Sequence, residues 1–284
     1  MQIEPLHEEF GARITGVDWS DMPAGESLDT LREAIDTYSF VLFPDQPFDD
    51  DRQFALTKAL GNPEPAHVAL GEEGKVEYFG TIGNVQPDGS ALGESAQKTK
   101  FLKGNNLWHS DASFKKVPAF ASIMCAYETP AEGGETLFIS TRAAWDRLDD
   151  DRKAELDPMI GIHDYTYSRS KVAEVKPSLS ASLPPVRQRL VRANPRNKKK
   201  NLFIGSHCRE IEGMGYKASR EMLDDLTTDA VADEHVLSHR WQPGDLVIWD
   251  NRCLLHRGAG YDADKYRRYM RQTRVSGVCS SLEE

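Results

Sequence analysis

The sequence predicts a mainly β protein with flanking helices: an antiparallel double-sheet jelly roll, or double-stranded β-helix. Three observations point there. The apolar runs that read as strands are short. They are separated by turns such as Pro130-Ala131-Glu132-Gly133-Gly134 or by single helices. Strict alternation of strand and helix, which would mark a parallel sheet, is absent.

Each element has its own warrant. Residues 28–38 place Leu31, Ile35 and Tyr38 at helical spacing. Ser39-Phe40-Val41-Leu42-Phe43 reads as a buried strand stopped by Pro44 and Pro47. Residues 49–60 form a second predicted helix, acidic in its first turn and followed by Gly61. Residues 76–82 read as a strand. The polar stretch 86–103 reads as a long loop, a class that often covers active sites. Strands follow at 120–127 and 136–139. Thr141 is expected to cap a helix through Trp145 and Leu148, with another at 151–156. Residues 161–167 alternate like a strand. Residues 168–200 hold Pro177, Pro184, Pro185 and Pro195 and end in Arg196-Asn197-Lys198-Lys199-Lys200. They read as an irregular insertion within a single domain spanning 1–284. A strand at 201–205, a helix within 219–235, and strands at 235–241, 245–249 and 269–275 complete the chain.

Composition narrows the function. The chain has 284 residues, 39% of them hydrophobic, and a formal net charge of −10. That core is sizeable, and the acidic total opposes nucleic acid and anionic membranes as main partners. The basic run 187–200 reads as a solvated loop, since no aromatic residues interleave it for base stacking. The N-terminus has no basic stretch followed by an apolar run, so it does not read as a signal peptide, and no apolar run is long enough to span a membrane. Cys125, Cys208, Cys253 and Cys279 form no Cys-x-x-Cys pair. Reduced thiols and a cytoplasmic location are expected. A homo-oligomer stays open.

Trp108-His109-Ser110-Asp111 carries the chemistry. Residues i and i+2 of an extended segment share a face, so His109 and Asp111 can chelate one ion while Ser110 points away. A second, remote His would complete a 2-His-1-carboxylate triad. Such a triad holds Fe(II) on one face and leaves positions open, and the lack of thiolate argues against structural zinc. His256 follows the strand-like Leu246-Val247-Ile248-Trp249, but spacing alone leaves His7, His67, His163, His207, His235 and His239 as alternatives.

Four motifs carry a resemblance. They are Asn106-Leu107-Trp108-His109-Ser110-Asp111-Ala112-Ser113-Phe114, Pro130-Ala131-Glu132-Gly133-Gly134-Glu135-Thr136-Leu137-Phe138, Gly244-Asp245-Leu246-Val247-Ile248-Trp249-Asp250-Asn251-Arg252, and Arg267-Arg268-Tyr269-Met270-Arg271. In their order and spacing the chain resembles the taurine dioxygenase / 2,4-dichlorophenoxyacetate dioxygenase family of Fe(II)- and 2-oxoglutarate-dependent enzymes, over nearly its whole length. The resemblance implies His109, Asp111 and His256 as iron ligands and catalytic centre. It implies Thr136 with Arg268, or else Arg267, as holders of the distal carboxylate of 2-oxoglutarate. Arg suits that task because it meets a carboxylate with two parallel hydrogen bonds. The reaction implied consumes O₂, converts 2-oxoglutarate to succinate and CO₂, and hydroxylates a substrate C–H.

The substrate implied is a small anionic organic molecule. Taurine-type members use an Arg four residues past the 2-oxoglutarate Arg, and Gln272 stands there in this chain. Arg271 and Arg274 flank Gln272, and by strand alternation Arg274 shares a face with Arg268 and Gln272 and is the expected substitute anchor. His67, His207 and Asn105 are further substrate-contact candidates. Trp249-Asp250-Asn251-Arg252-Cys253-Leu254-Leu255-His256-Arg257-Gly258, Pro184-Pro185-Val186 and Leu202-Phe203-Ile204-Gly205-Ser206-His207 look closest to the aryloxyalkanoate-cleaving branch, so a phenoxy acid with ether cleavage is the first expectation. Taurine or another sulfonate is the alternative. A Zn(II) or Mn(II) hydrolase or isomerase with the same ligands is disfavoured by Thr136 and Arg268. A jelly-roll binding module without turnover is the alternative of another class.

Overall fold

A computed structural model of the chain describes residues 2–46, 48–65, 77–86, 88–96, 103–175 and 181–284. Strands β1 (Gln2–Pro5) and β2 (Ala12–Thr15) precede helix α1 (Glu26–Tyr38), β3 (Phe40–Phe43) and helix α2 (Asp50–Leu60). Next come β4 (Gly80–Gly83), a 3-10 turn at Lys103–Asn106, β5 (Ala119–Glu128) and β6 (Thr136–Ser140). Helices α3 (Thr141–Arg147) and α4 (Asp150–Leu156) lead to β7 (Ile160–His163) and α5 (Tyr165–Ser170). Then follow β8 (Val186–Arg189), β9 (Val191–Ala193), β10 (Lys200–Leu202), β11 (Cys208–Ile211) and α6 (Tyr216–Ala230). Strands β12 (Leu237–His239), β13 (Leu246–Asp250), β14 (Leu254–Gly258) and β15 (Tyr269–Ser276) close the chain.

A seven-stranded sheet, β1-β2-β3-β13-β5-β15-β4, packs on a three-stranded sheet, β12-β6-β14, as the predicted jelly roll requires. All pairings in both are antiparallel except β2 with β3. Phe40, Met124, Phe138, Val247, Trp249, Leu254 and Met270 fill the space between the sheets. Helices α1 and α2 cover the outer face of the large sheet, packing Ile35, Leu56 and Leu60 on Val41, Ile123 and Ile248. Successive residues of β13 therefore enter different cores, and all five are buried. This is why the strand reads as an unbroken apolar run rather than an alternating one. A third core behind the small sheet joins Ile139 and Leu255 to α3 and α6.

Three expectations are corrected. Residues 168–200 are not irregular throughout: β8 pairs with β7, β9 with β10, and Leu190 and Val191 are buried. Pro184, Pro185 and Pro195 lie outside these strands, and the apolar pair Leu190-Val191 supplies core contacts. The alternation at 161–167 ends at His163, because Asp164 caps α5 by accepting a hydrogen bond from the Tyr167 amide. Ser140, not Thr141, caps α3 by accepting from the Ala143 amide.

Cys125, Cys208 and Cys253 are buried free thiols, each pushed up to about 12 mainly by burial. His163 is also fully buried, stacked at 22° on Phe203, and burial pushes its imidazole down to about 3. The unfolded chain protonates this His near its ordinary 6.5, whereas the folded chain resists until about 3. Its contribution to stability is therefore complete above about 6.5 and is lost as pH falls toward 3. The slope in that window approaches about 1.4 kcal/mol per pH unit. His163→Leu should lose less thermal stability between pH 7 and pH 5 than the parent. Parallel melting curves across that range would remove His163 as an acid-sensitive element.

Candidate active site

Strand parity builds the site. On β5, β6, β14 and β15 the even-numbered residues face the space between the sheets. Met124, Phe138, Leu254 and Met270 therefore line the inner core, while Ile123, Ile139, Leu255 and Val275 belong to the outer ones. Ser122, Thr136, His256, Gln272 and Arg274 share the inward parity, and Arg268, one residue before β15, continues it.

His109 is not on a regular strand. It forms an isolated antiparallel bridge with His256: the His109 amide donates to the His256 carbonyl at 3.0 Å, and the reverse bond is 2.8 Å. The ring centroids lie 4.3 Å apart. Asp111 follows in a turn, and Ala112 after it adopts φ 55°, an uncommon left-handed conformation for a residue with a Cβ. Ser110 turns away and donates to the Asn251 carbonyl. His109 Nε2 to Asp111 Oδ1 and His256 Nε2 to Asp111 Oδ2 are both 3.8 Å, too long for hydrogen bonds. All three residues offer ligand atoms within 4.8 Å of one another.

The surroundings orient these donors. His109 Nδ1 lies 2.7 Å from the Leu107 carbonyl, which leaves Nε2 for an ion. Asp111 Oδ2 accepts from Ser122 Oγ and from Gln272 Nε2, each at 2.7 Å. Asn251 Nδ2 donates to Ser122 Oγ at 2.8 Å, and Trp249 Nε1 donates to Asn251 Oδ1 at 3.0 Å. Burial alone raises the Asp111 carboxyl, but His256, Arg274 and His109 together with Ser122 outweigh it, and it sits well below the usual range. Burial holds both imidazoles down, His256 to about 3. Two neutral imidazoles and one carboxylate are the protonation states a divalent metal requires. The donor set fits Fe(II).

Beyond the triad lies a cleft of about 910 Å³, counting the part open to solvent. Ile82, Met124, Trp249 and Tyr261 form its apolar walls. Arg268 and Thr136 close its inner end. Trp241 Nε1 donates to Thr136 Oγ1 at 2.9 Å. Arg268 is buried, and among the described residues it has no carboxylate partner and its Nε has no hydrogen-bond acceptor. Burial pushes its guanidinium down to about 10. A buried, unpaired cation costs several kcal/mol, which an incoming carboxylate recovers. This is the fit expected for the distal carboxylate of 2-oxoglutarate. Gly83 makes the close approach possible, since a Cβ there would lie 1.9 Å from the Arg268 carbonyl oxygen.

The other predicted residues are placed as follows. Arg267 is on the solvent side, paired with Glu128 at 2.6 Å, and of the two arginines it is Arg268 that lines the cleft. Arg271 has the outward parity; it pairs with Asp50 at 2.6 Å and lies over the Phe79 ring. Arg274 shares the inward parity as expected, but its Nε donates to buried Glu64 at 2.9 Å. His207 sits edge-on to His109 with ring centroids 5.9 Å apart, its Nδ1 2.7 Å from Ser168 Oγ. Asn105 lines the cleft and accepts from Arg169 at 2.8 Å. His67 lies outside the described residues.

Fold and triad together define an Fe(II)- and 2-oxoglutarate-dependent dioxygenase. Residues 2–274 match the model of the taurine catabolism dioxygenase TauD, TfdA family, and the chain belongs to that family. It is 34% identical over 274 residues to the alpha-ketoglutarate-dependent 2,4-dichlorophenoxyacetate dioxygenase of Cupriavidus pinatubonensis, covering 95% of this chain and 96% of that one. It is 35% identical over 285 residues to the (S)-phenoxypropionate/alpha-ketoglutarate-dioxygenase of Sphingobium herbicidovorans, covering 97% and 94%. The crystal structure of AAD-2 in complex with Mn(II) and N-oxalylglycine superposes with a TM-score of 0.89 at 33% identity, covering 99% of this chain and 100% of that one.

Sequence reasoning missed the partners of Asp111. Ser122 had a signal, since a lone hydroxyl inside the apolar run of β5 must find a partner. Gln272 was noticed as the absence of an Arg, not as a donor. Tyr261, Glu94 and Lys103 also line the cleft, from loops without periodicity.

Arg268→Met should act in opposite directions on binding and stability. Removing an uncompensated buried charge should leave the metal-free protein at least as stable by thermal melting. Affinity for 2-oxoglutarate should fall at least about 100-fold, near 3 kcal/mol. An anaerobic titration of the Fe(II)-loaded protein with 2-oxoglutarate, followed by the visible charge-transfer band, reads it; an unchanged midpoint would dismiss Arg268 as the anchor.

Proposed function

We propose that this dioxygenase hydroxylates the C–H beside the ether oxygen of a small aryloxyalkanoate, and that the product collapses to a phenol and a carbonyl compound. The observation that carries it is the pairing, in one cleft, of the His109–Asp111–His256 triad with a buried cation that lacks an anion. The full-length likeness to two phenoxy-acid dioxygenases supports the substrate class. An apolar wall suited to an aromatic ring supports it further.

Bound Fe(II), with 2-oxoglutarate and O₂, supplies the oxidising power for the C–H step. The chain's own residues set where that power is applied. His109, Asp111 and His256 would hold the ion, at the wall of the cleft that they line with Arg268 and Thr136. Arg268 takes the distal carboxylate in a charge-assisted pair and Thr136 adds a hydroxyl. Trp249 and Phe138 pack around the His256 ring at 5.0 and 5.7 Å, which keeps water from the ligand's far side. Met124, Ile82 and Tyr261 receive the apolar part of the substrate. Lys103 and Glu94, paired at 2.6 Å, form a polar stretch of the cleft wall.

We place the protein in the cytoplasm, acting on small anions as a single domain over residues 1–284, with neither nucleic acid nor membrane as partner. Buried free thiols support the compartment. Among the described residues no helix is long and apolar enough to cross a membrane.

Succinate release tests the substrate class. Phenoxyacetate or 2-phenoxypropionate should drive succinate formation at least about tenfold above the substrate-free rate, with stoichiometric phenol, and taurine should not. Turnover of taurine alone would transfer the protein to the sulfonate branch. Succinate without phenol would remove ether cleavage.

A further inference from the structure

We infer that Gln272 is a positioning residue for the metal-binding carboxylate, and that Arg274 serves Gln272 rather than the substrate. The inference rests on the metal-site reading above and extends it to a residue beside the ligand carboxylate and to the cation behind that residue. Gln272 is 4% exposed, on the inward face of β15. Its Nε2 donates to Asp111 Oδ2 at 2.7 Å, and its Oε1 lies 3.5 Å from Arg274 NH1. Arg274 is fixed in turn by Glu64, which is 3% exposed and also accepts from Lys115 Nζ at 3.0 Å.

The amide can adopt only one orientation here. Turned over, its carbonyl oxygen would face a carboxylate oxygen and its NH₂ would face a guanidinium. Both contacts are repulsive, whereas the observed orientation satisfies both. The ion cluster Glu64–Arg274–Lys115 therefore sets the polarity of the amide, and the amide sets the rotation of Asp111.

That rotation matters because Oδ2 is occupied by two donors, Ser122 and Gln272, while Oδ1 accepts no hydrogen bond among the described residues. One oxygen is left for the ion. A carboxylate free to turn could chelate through both and use a position needed by the co-substrate. A neutral amide holds the second oxygen without discharging the carboxylate, as an Arg in its place would. The same argument accounts for Arg274. Its guanidinium is held between Glu64 and Gln272, and among the described residues it is Gln272 and not Arg274 that lines the cleft, so it is not available as a substrate anchor.

The test uses metal-free full-length protein, with Mn(II) binding read by loss of the free-ion EPR signal and Co(II) coordination read by visible absorption. Gln272→Leu keeps volume and removes the donor. It should bind Mn(II) 10- to 100-fold more weakly, the range for loss of a partner to a ligand. Its Co(II) bands should change in position and intensity as Asp111 turns. Arg274→Met leaves the amide but frees its orientation, and should give a smaller loss, about 3- to 10-fold, with bands shifted the same way. It also serves if Gln272→Leu does not fold. Mn(II) affinity within twofold of the parent and unchanged Co(II) bands, in whichever variants fold, overturn the inference. Failure of the parent itself to bind Mn(II) would instead strike the metal-site reading.

Discussion

Two backbone hydrogen bonds between His109 and His256 hold the rest of the site together. The segment carrying His109 and Asp111 belongs to neither sheet. Without that reciprocal pair it would be a loop passing near β14 with its side chains unregistered. The bridge locks its register to a strand that is already buried on both faces. From that one contact follow the 4.3 Å ring separation, the turn at Ala112 and the approach of Asp111 to β5 and β15. The strain of a left-handed Ala is of order 1 kcal/mol, and the flanking bonds sustain it.

The two facing sheets supply the second constraint, parity. Four strands from distant parts of the chain aim alternate residues into one interior. The interior is mainly apolar, with Trp249, Phe138 and Met270, so each polar group admitted to it must be answered. Ser122, Asn251, Gln272 and Asp111 answer one another. Arg268 differs: among the described residues no carboxylate faces it and its Nε meets no acceptor, which suits the co-substrate carboxylate proposed for it.

Much of this was legible in the sequence, for identifiable reasons. The triad and Thr136 stand in compact motifs, and the helices at 26–38 and 50–60 announce themselves by period and caps. Arg268 was separated from Arg267 only by the structure, because adjacent residues on a strand face opposite ways and the sequence does not say which way is in. Arg274 has the expected parity, but its guanidinium meets Glu64, 210 positions away. Long-range ion pairs leave no local pattern. The strands at 186–193 were hidden by surrounding prolines and basic residues, which describe the exposed turns rather than the buried Leu190 and Val191.

The turn between β13 and β14 has a consequence for metal choice. Arg252 in that turn pairs with Asp250 at 2.7 Å and reaches Asp36 of α1 at 2.6 Å, all of them buried. The strand bearing His256 is thus pinned before any ion arrives, and the ordering entropy of that side is spent at folding. A site already shaped, with two nitrogens and one oxygen, follows the natural order of divalent affinities, in which Fe(II) stands below Ni(II), Cu(II) and Zn(II). Nothing in its donors reverses that order. Which ion the protein carries is then decided by the relative free concentrations around it, and its activity depends on a metal balance kept by its surroundings.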